Sequence, residues 1–277
     1  MKNSRKLSGL FLVVAGLFLF NSCNKDEVES GDVIAKTTVT DYISMINSFS
    51  LSSIEDLSTG DEDGLKSATV SDCLTVTIHE NEDGEFWPRS WTLDFGTEAC
   101  ESFNGIVRKG MIHVNLSDHW RNEASLRTIS YDNFYVDNVN LEGEKSIENT
   151  GLNESENMTW LRKMTDGKLT YEDGTITTWN CERYSELVEG GDTWLFRDDI
   201  YMVTGGGNGV KDGLAFTTEI TIPLEYVFGC RFPLTGELTI NVEGSETVII
   251  NYGEGECDNI ATQTIGEEVT EIELGRS

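Results

Sequence analysis

The chain has 277 residues, of which 49 are acidic and 20 basic, giving a formal net charge of −29. This length suffices for one large domain or two small ones. A hydrophobic content of 38% argues against a disordered chain. The excess of acidic side chains argues against a nucleic-acid-binding protein, which needs a basic face to displace counterions. Composition alone leaves the molecular activity open.

The first 22 residues predict a secretory signal. The basic residues Lys2, Arg5 and Lys6 precede an uncharged, largely apolar run over 7–20. A basic start, a short apolar run and small residues before the cut are typical of a signal peptide. The run is shorter than the roughly 18 residues that a membrane span needs. The alternative is a buried or membrane-anchoring helix. We predict that residues 1–22 are removed.

Cys23 indicates which kind of signal this is. The tetrad Phe20-Asn21-Ser22-Cys23 resembles a bacterial lipobox, and this resemblance implies that Cys23 is lipidated and becomes the first mature residue. Acyl chains contribute about 0.8 kcal/mol per buried methylene, so two or more chains anchor stably. The residues Lys25, Asp26 and Glu27 follow and resemble the export signal of Bacteroidota surface lipoproteins. The alternative is an ordinary charged tether.

The segment over 23–66 is predicted to be a lipidated tether with a short helical portion. Apolar residues at spacings of three and four favour a helix over roughly 38–57. Residues 58–66 are rich in glycine and acidic side chains and predict a linker or turn.

The remainder, residues 67–277, shows a period of two. Short alternating runs separated by glycine-rich breaks are typical of antiparallel β structure. The candidate strands include 128–136, 158–164, 175–181, 194–203, 214–222, 238–242, 248–252 and 269–274. The predicted breaks include 82–84, 166–167, 172–174, 205–209 and 212–213. We therefore predict an all-β antiparallel meander, folded as a sandwich or as a long curved sheet.

An internal repeat is carried by the cysteines. Cys73 and Cys100 are 27 residues apart, and so are Cys230 and Cys257. Each second cysteine follows an alternating strand and a phrase of the form apolar, Asp or Asn, aromatic, Gly, three residues, Cys. The pattern predicts two hairpins, each stapled by a disulfide near its open end. Cys181 is left over as a buried thiol. A four-cysteine zinc site is the alternative, but closely spaced cysteine pairs are missing.

The β region resembles a family of Bacteroidota surface lipoproteins over roughly 70–275. The resemblance is carried by the phrases at 93–100, 104–112, 133–136, 167–171 and 252–259. It implies an all-β fold with paired-cysteine hairpins and a location in the outer membrane or at the cell surface. It implies no activity.

A search for catalytic patterns nominates no mechanism. The sequence has no Gly-x-Ser-x-Gly, His-Glu-x-x-His or Walker-type phosphate loop. His113 and His119 could share a strand face and bind a metal, but solvated or capped histidines are the favoured interpretation. Acidic clusters at 61–64 and 80–84 could bind calcium, although hairpin turns use the same residues. We predict no cofactor and no metal.

Two tryptophans are the candidates for a ligand patch. Trp87 lies before Pro88, and Trp120 follows Asp118-His119, so both are near predicted turns. Exposed indoles beside a polar group such as Asp118 can bind a small ligand, whereas partial burial under loops is the structural alternative. Trp91, Trp160 and Trp179 lie in apolar alternation and are predicted to be core residues.

The sequence thus favours a lipid-anchored outer-membrane or cell-surface protein that binds an extracellular glycan or an envelope protein without catalysis. A structural envelope component is the alternative. A glycan-acting hydrolase is disfavoured, because its two carboxylates must stand at a set separation that strand spacing cannot reveal.

Overall fold

The computed structural model describes residues 73–81, 83–101, 106–193, 196–230 and 232–274. The predicted signal, Cys23, the residues Lys25, Asp26 and Glu27, the predicted helix over 38–57 and the linker lie outside the described residues. Within the described residues, no helix is long and apolar enough to cross a bilayer.

The described residues form one antiparallel sheet of 14 strands. A single turn of 3₁₀ helix, Phe196–Asp198, is the one helical element in the described ranges. The strands are β1 Thr75–His79, β2 Arg89–Asp94, β3 Cys100–Glu101, β4 Val107–Leu116, β5 Leu126–Val136, β6 Val139–Leu152, β7 Met158–Thr170, β8 Ile176–Glu189, β9 Ile200–Lys211, β10 Leu214–Val227, β11 Thr235–Val242, β12 Val248–Glu254, β13 Ile260–Ile265 and β14 Glu268–Glu273.

The sheet is a continuous meander. Strand neighbours in the sheet are neighbours along the chain, from β1 to β14, except that the short β3 pairs with β4 beside this path. The predicted all-β antiparallel meander is confirmed. Of the two predicted arrangements, the structure shows the single long sheet. Its edges are β1 and β14, and every hairpin connection lies at one of two opposite ends of the strands.

One face of the sheet forms the core. Along β8, buried and exposed residues alternate, so one face is packed and the other meets solvent. The predicted core residues Trp91, Trp160 and Trp179 are all buried, with exposed fractions of 2%, 4% and 2%. Buried side chains from β2 to β13 form one hydrophobic cluster. The sheet is therefore amphipathic, as period-two patterning predicts.

The sheet bends around this core. Leu93 on β2, Ile129 on β5 and Leu238 on β11 are each 0% exposed, although all three strands belong to one sheet. In a flat sheet of a single layer, such side chains would face solvent. Curvature of the sheet therefore encloses this face.

Two segments predicted as turns are strand residues instead. Gly205–Gly209 lies inside β9, and Asp166-Gly167 lies inside β7 at a bulge in the pairing with β8. Glycine is required there by packing: a Cβ on Gly167 would lie 2.7 Å from the ring of Trp179. Gly167 and Gly209 make room for aromatic rings, Gly205 and Gly206 lie close to the backbone of the neighbouring strands, and none of these glycines reverses the chain.

Besides the two-residue β3, the strands β6 and β13 were not predicted, because polar residues occupy some of their buried positions. On β6, the buried face includes Lys145 and Asn149, each 2% exposed. On β13, Gln263 lies between Ala261 and Ile265 on the buried face. Polar residues at inward positions interrupt the apolar alternation on which strand prediction depends.

The two predicted disulfides are confirmed. Cys73 joins Cys100 with a Cα–Cα distance of 5.7 Å, and Cys230 joins Cys257 at 5.5 Å. Because β1 and β11 start at opposite ends of the sheet, the two staples also lie at opposite ends. Cys181 is free and buried, as predicted, and burial raises the pKa of its thiol to about 12.

Candidate functional site

The loop between β4 and β5 is fixed by Asp118. Its Oδ1 accepts a hydrogen bond from the backbone N–H of His119 at 2.7 Å, and its Oδ2 accepts one from Nδ2 of Asn122 at 2.9 Å. The hydroxyl of Ser125 donates to the Asp118 carbonyl at 2.7 Å. The hydrogen bonds from Asn122 and His119 lower the pKa of Asp118. Asp118 therefore shapes the loop that carries His119 and Trp120.

Trp87 and Trp120 belong to one continuous set of rings at this end of the sheet. Neighbouring centroids are 5.1, 6.4, 6.1, 5.7 and 5.9 Å apart along the set. We call this set the aromatic row; it consists, in order, of Phe86, Trp87, His119, Trp120, Trp160 and Tyr201. His119 links the two predicted tryptophans, which come from different loops.

The buried half of the aromatic row begins at Trp120. Its ring stacks on Trp160 at an interplanar angle of 24°, and the guanidinium of Arg121 lies 4.8 Å from its centroid. Its carbonyl accepts hydrogen bonds from Nδ2 of Asn149 at 3.1 Å and from Nε1 of Trp160 at 3.3 Å. Trp120 is thus half-buried, with its ring and carbonyl engaged by the protein. The ring of Trp120 therefore mainly supports the neighbouring rings of the row and presents little surface to a ligand.

The accessible half of the row is Phe86 and Trp87. Phe86 is 60% exposed, Trp87 is half-buried, and their rings meet edge to face. The guanidinium carbon of Arg89 lies 4.6 Å from the Phe86 centroid. Nδ2 of Asn81 donates to the carbonyls of Glu85 at 2.8 Å and Pro88 at 2.6 Å, which holds the loop in shape. The sequence prediction missed Phe86, although its place beside Trp87 after an Asp-Gly turn was a usable signal.

A buried carboxylate lies near the inner end of the row. Asp199 is 2% exposed, and its Oδ2 accepts a hydrogen bond from the Tyr201 hydroxyl at 2.8 Å. Burial raises the pKa of Asp199, and the hydrogen bond from Tyr201 and the nearby charge of Arg121 partly offset this effect. Nη1 of Arg121 donates to the Gly191 carbonyl at 3.3 Å, so the β4–β5 and β8–β9 connections are in contact. Nothing in the local sequence marked Asp199 as a buried group.

The histidines considered as metal ligands do not meet. Nδ1 of His113 lies 3.1 Å from the Thr92 hydroxyl, which is also 2.9 Å from Nε2 of His79. His119 instead joins the aromatic row. Across the described residues, no group of three or more His, Cys, Asp or Glu side chains is arranged to hold a metal ion. In the acidic cluster over 80–84, Oδ1 of Asp83 accepts the Glu85 N–H at 3.0 Å, which is turn chemistry. The cluster over 61–64 lies outside the described residues.

Comparison with known proteins adds no further assignment. No family model, curated protein or solved structure matches this chain. The structure by itself establishes an all-β protein with two paired-cysteine disulfides.

Proposed function

We propose that the protein is a lipid-anchored binding protein displayed at the outer membrane or cell surface, and that the aromatic row is its ligand site. In this proposal the protein is non-catalytic and belongs with the Bacteroidota surface lipoproteins that its sequence resembles. The single observation that carries the binding role is the accessible end of the row. There, Phe86 and Trp87 extend outward from rings that are anchored in the core.

The proposed location rests on the order of the N-terminal residues and on the cysteines. A basic start, an apolar run and Cys23 support secretion and lipidation. Two disulfides support an oxidising compartment beyond the inner membrane, where such bonds form and persist. A lipid-anchored protein outside the cell meets extracellular polymers first, which favours a glycan as the ligand.

The proposed ligand class rests on the chemistry of the row. Aromatic rings supply apolar area at a small cost in conformational entropy, and they stack on the apolar faces of sugar rings. The guanidinium of Arg89, a buried residue, packs against Phe86, and the exposed Glu85 next to Phe86 supplies polar chemistry at the rim. A few oriented polar contacts around an apolar surface are what a small-ligand site needs. Because the rings behind Trp87 are packed into the core, the surface is preorganised.

The anchor is tested by Cys23→Ala. This variant is expected to lose labelling by a fatty-acid analogue and to leave the membrane fraction, because the acyl chains supply the membrane affinity.

Changing Lys25, Asp26 and Glu27 together to alanine tests the export signal. That variant should stay lipidated but become protected from protease added to whole cells. If Cys23→Ala is still labelled, the lipoprotein assignment is wrong. If the triple variant remains accessible to protease on whole cells, Lys25, Asp26 and Glu27 are only a charged tether.

The ligand site is tested on a glycan array with residues 24–277. We expect binding of at least one glycan at millimolar or better affinity, worth about 4 kcal/mol or more. Trp87→Ala and Phe86→Ala should each weaken that binding about fivefold to tenfold, since one buried aromatic contact contributes about 1–1.4 kcal/mol.

The matched control is Phe228→Ala, because Phe228 is also 60% exposed but lies outside the row. It should leave glycan binding unchanged. If binding survives Trp87→Ala and Phe86→Ala, the ligand site is elsewhere. If no glycan binds at millimolar concentration, glycan capture is wrong and an envelope-protein partner takes its place.

A further inference from the structure

The two edges of the sheet differ in charge. The edge strand β14 carries three carboxylates, Glu268, Glu271 and Glu273, among its six residues. The other edge strand, β1, has the sequence Thr-Val-Thr-Ile-His and carries no acidic, lysine or arginine side chain, although the formal net charge of the chain is −29. Charged side chains on an edge strand oppose its pairing with another chain. β14 is therefore protected against such pairing, whereas β1 is not.

β1 also leaves part of the core face incompletely covered. On the neighbouring β2, Trp91 and Leu93 are 2% and 0% exposed. On β1, Val76 and Ile78 pack against the same core but are only half-buried. The difference arises because β1 pairs with β2 alone among the described strands. A further strand beside β1 would cover these two apolar side chains and would pair the outward N–H and C=O groups of the edge.

The residue order of β1 suits pairing with a second copy of the same strand. An antiparallel pair centred on Thr77 places Val76 of one copy opposite Ile78 of the other, and Thr75 opposite His79. Because side chains alternate between the two faces, the apolar residues then meet on the core face and the polar residues meet on the solvent face. Directly opposed β-branched residues and threonine pairs stabilise a sheet.

Hydroxyl and imidazole groups already alternate across the solvent face at this edge. Nε2 of His79 on β1 lies 2.9 Å from Oγ1 of Thr92 on β2, and that oxygen lies 3.1 Å from Nδ1 of His113 on β4. A second β1 strand would bring its Thr75 beside His79. The alternation of hydroxyl and imidazole would therefore continue across the junction between the two copies.

Pairing of β1 with β14 of a second copy is less favourable. All strands except β3 lie on one path from β1 to β14, and every neighbouring pair on it is antiparallel. This path has an odd number of strands, so β1 and β14 run in the same direction. They would pair in parallel, which is less stable per residue, and each added copy would expose a new edge. A pair of β1 strands closes around a two-fold axis.

β1 is held in place before a second copy arrives. Its register with β2 is continuous, from Thr75 opposite Asp94 to His79 opposite Ser90. The disulfide from Cys73 ties the start of the strand to β3, which pairs with β4. A strand that is already fixed loses little conformational entropy when it pairs, which reduces the cost of association.

We propose that β1 pairs with β1 of a second copy of this chain, about a two-fold axis at Thr77, and joins the two sheets into one. A stable interface engages about 20–30 residues on each side, whereas this strand supplies five. Association in dilute solution is therefore weak, and a covalent trap is the appropriate measurement. The proposal depends neither on the aromatic row nor on the lipid anchor.

The test is disulfide trapping of the full-length chain under mild oxidation, read on a non-reducing gel. Thr77→Cys is expected to give a covalent dimer, because opposed residues of an antiparallel pair have Cα atoms about 4.5–5.5 Å apart, within reach of a disulfide. The matched control is Thr217→Cys, an exposed threonine on the interior strand β10. Thr77→Cys should give at least about tenfold more dimer, since pairing raises the effective concentration of the thiols. Equal yields, or no dimer with Thr77→Cys, would overturn the proposal.

A second set of variants tests the register. Thr75→Cys and His79→Cys should each give only background dimer alone, but a covalent heterodimer when the two chains, carrying different tags, are expressed together. Adding Thr77→Lys to both chains should abolish that heterodimer, because two like charges would be directly opposed. Urea unfolding of Thr77→Lys verifies that this exposed substitution leaves the fold intact. A heterodimer that survives Thr77→Lys, or that never forms, would contradict pairing about Thr77.

The β1–β14 alternative is tested by expressing Thr77→Cys together with Glu271→Cys. We expect the Thr77→Cys homodimer to remain the main covalent product, because the carboxylates of β14 oppose edge pairing. A heterodimer in excess of that homodimer would replace the two-fold pair with head-to-tail pairing and would overturn the proposal.

Discussion

Replacement of Gly209 by alanine is expected to lower the free energy of unfolding by about 3 kcal/mol. Gly209 lies in the middle of β9, where it pairs with Trp179 on β8 and Phe216 on β10. An added Cβ would overlap the carbonyl oxygen of Thr178 and lie 2.5 Å from Cζ of Phe216. The carbonyl belongs to a hydrogen-bonded strand and the ring to the core, so neither can move away without disturbing its neighbours.

Urea unfolding and thermal melting measure this effect. A loss of about 3 kcal/mol corresponds to a fall in Tm of about 6–12 °C for a domain of this size. The matched control is Gly191→Ala, because an added Cβ there has its nearest neighbour at 3.5 Å, on Leu187. That variant should change stability by about 0.5 kcal/mol or less. Equal stability of the Gly209→Ala protein and the unmodified protein would contradict the close packing of β9 against its neighbours.

Loss of the Cys230–Cys257 disulfide through two alanine substitutions is expected to cost about 3–4 kcal/mol. The bond closes a sequence separation of 27 residues, so its removal enlarges the conformational entropy of the unfolded chain. The matched variant removes Cys73–Cys100, which has the same separation of 27. The chain-entropy argument predicts similar losses for the two variants. Removal of Cys73–Cys100 should additionally release β1, the edge strand, because β1 pairs only with β2 among the described strands.

Urea unfolding without reductant gives the stabilities, and hydrogen exchange at Thr75–His79 reports the release of β1.

Thiol counting supplies the control. Denatured, unreduced protein over 24–277 should show one reactive thiol, Cys181, and the folded protein should react slowly, since burial raises the pKa of that thiol to about 12. Three free thiols, or a peptide linking Cys100 to Cys230, would refute the two staples.

The candidate site was only partly predictable. Trp87 and Trp120 were found because each stands beside turn residues, which bring side chains to one end of a sheet. Their connection through His119 depends on how the β1–β2 and β4–β5 loops meet, and no spacing along the chain encodes that meeting. The hydrogen bonds of Asp118 were not predictable for the same reason. This carboxylate, predicted beside the ligand patch, accepts two hydrogen bonds within its own loop.

The sequence by itself determined the features that depend on local periodicity and on equal spacing. Alternation with period two specified antiparallel strands, and the matched 27-residue separations specified both disulfides. Only the tertiary structure decided that Gly205–Gly209 is a strand interior and that β6 exists with Lys145 on its buried face. The physical reason is that residue type alone determines neither the conformation of a glycine nor the burial of a lysine. A glycine can lie within a strand where the neighbouring strands leave no space for a side chain, and the curvature of the sheet decides which polar side chains face the core.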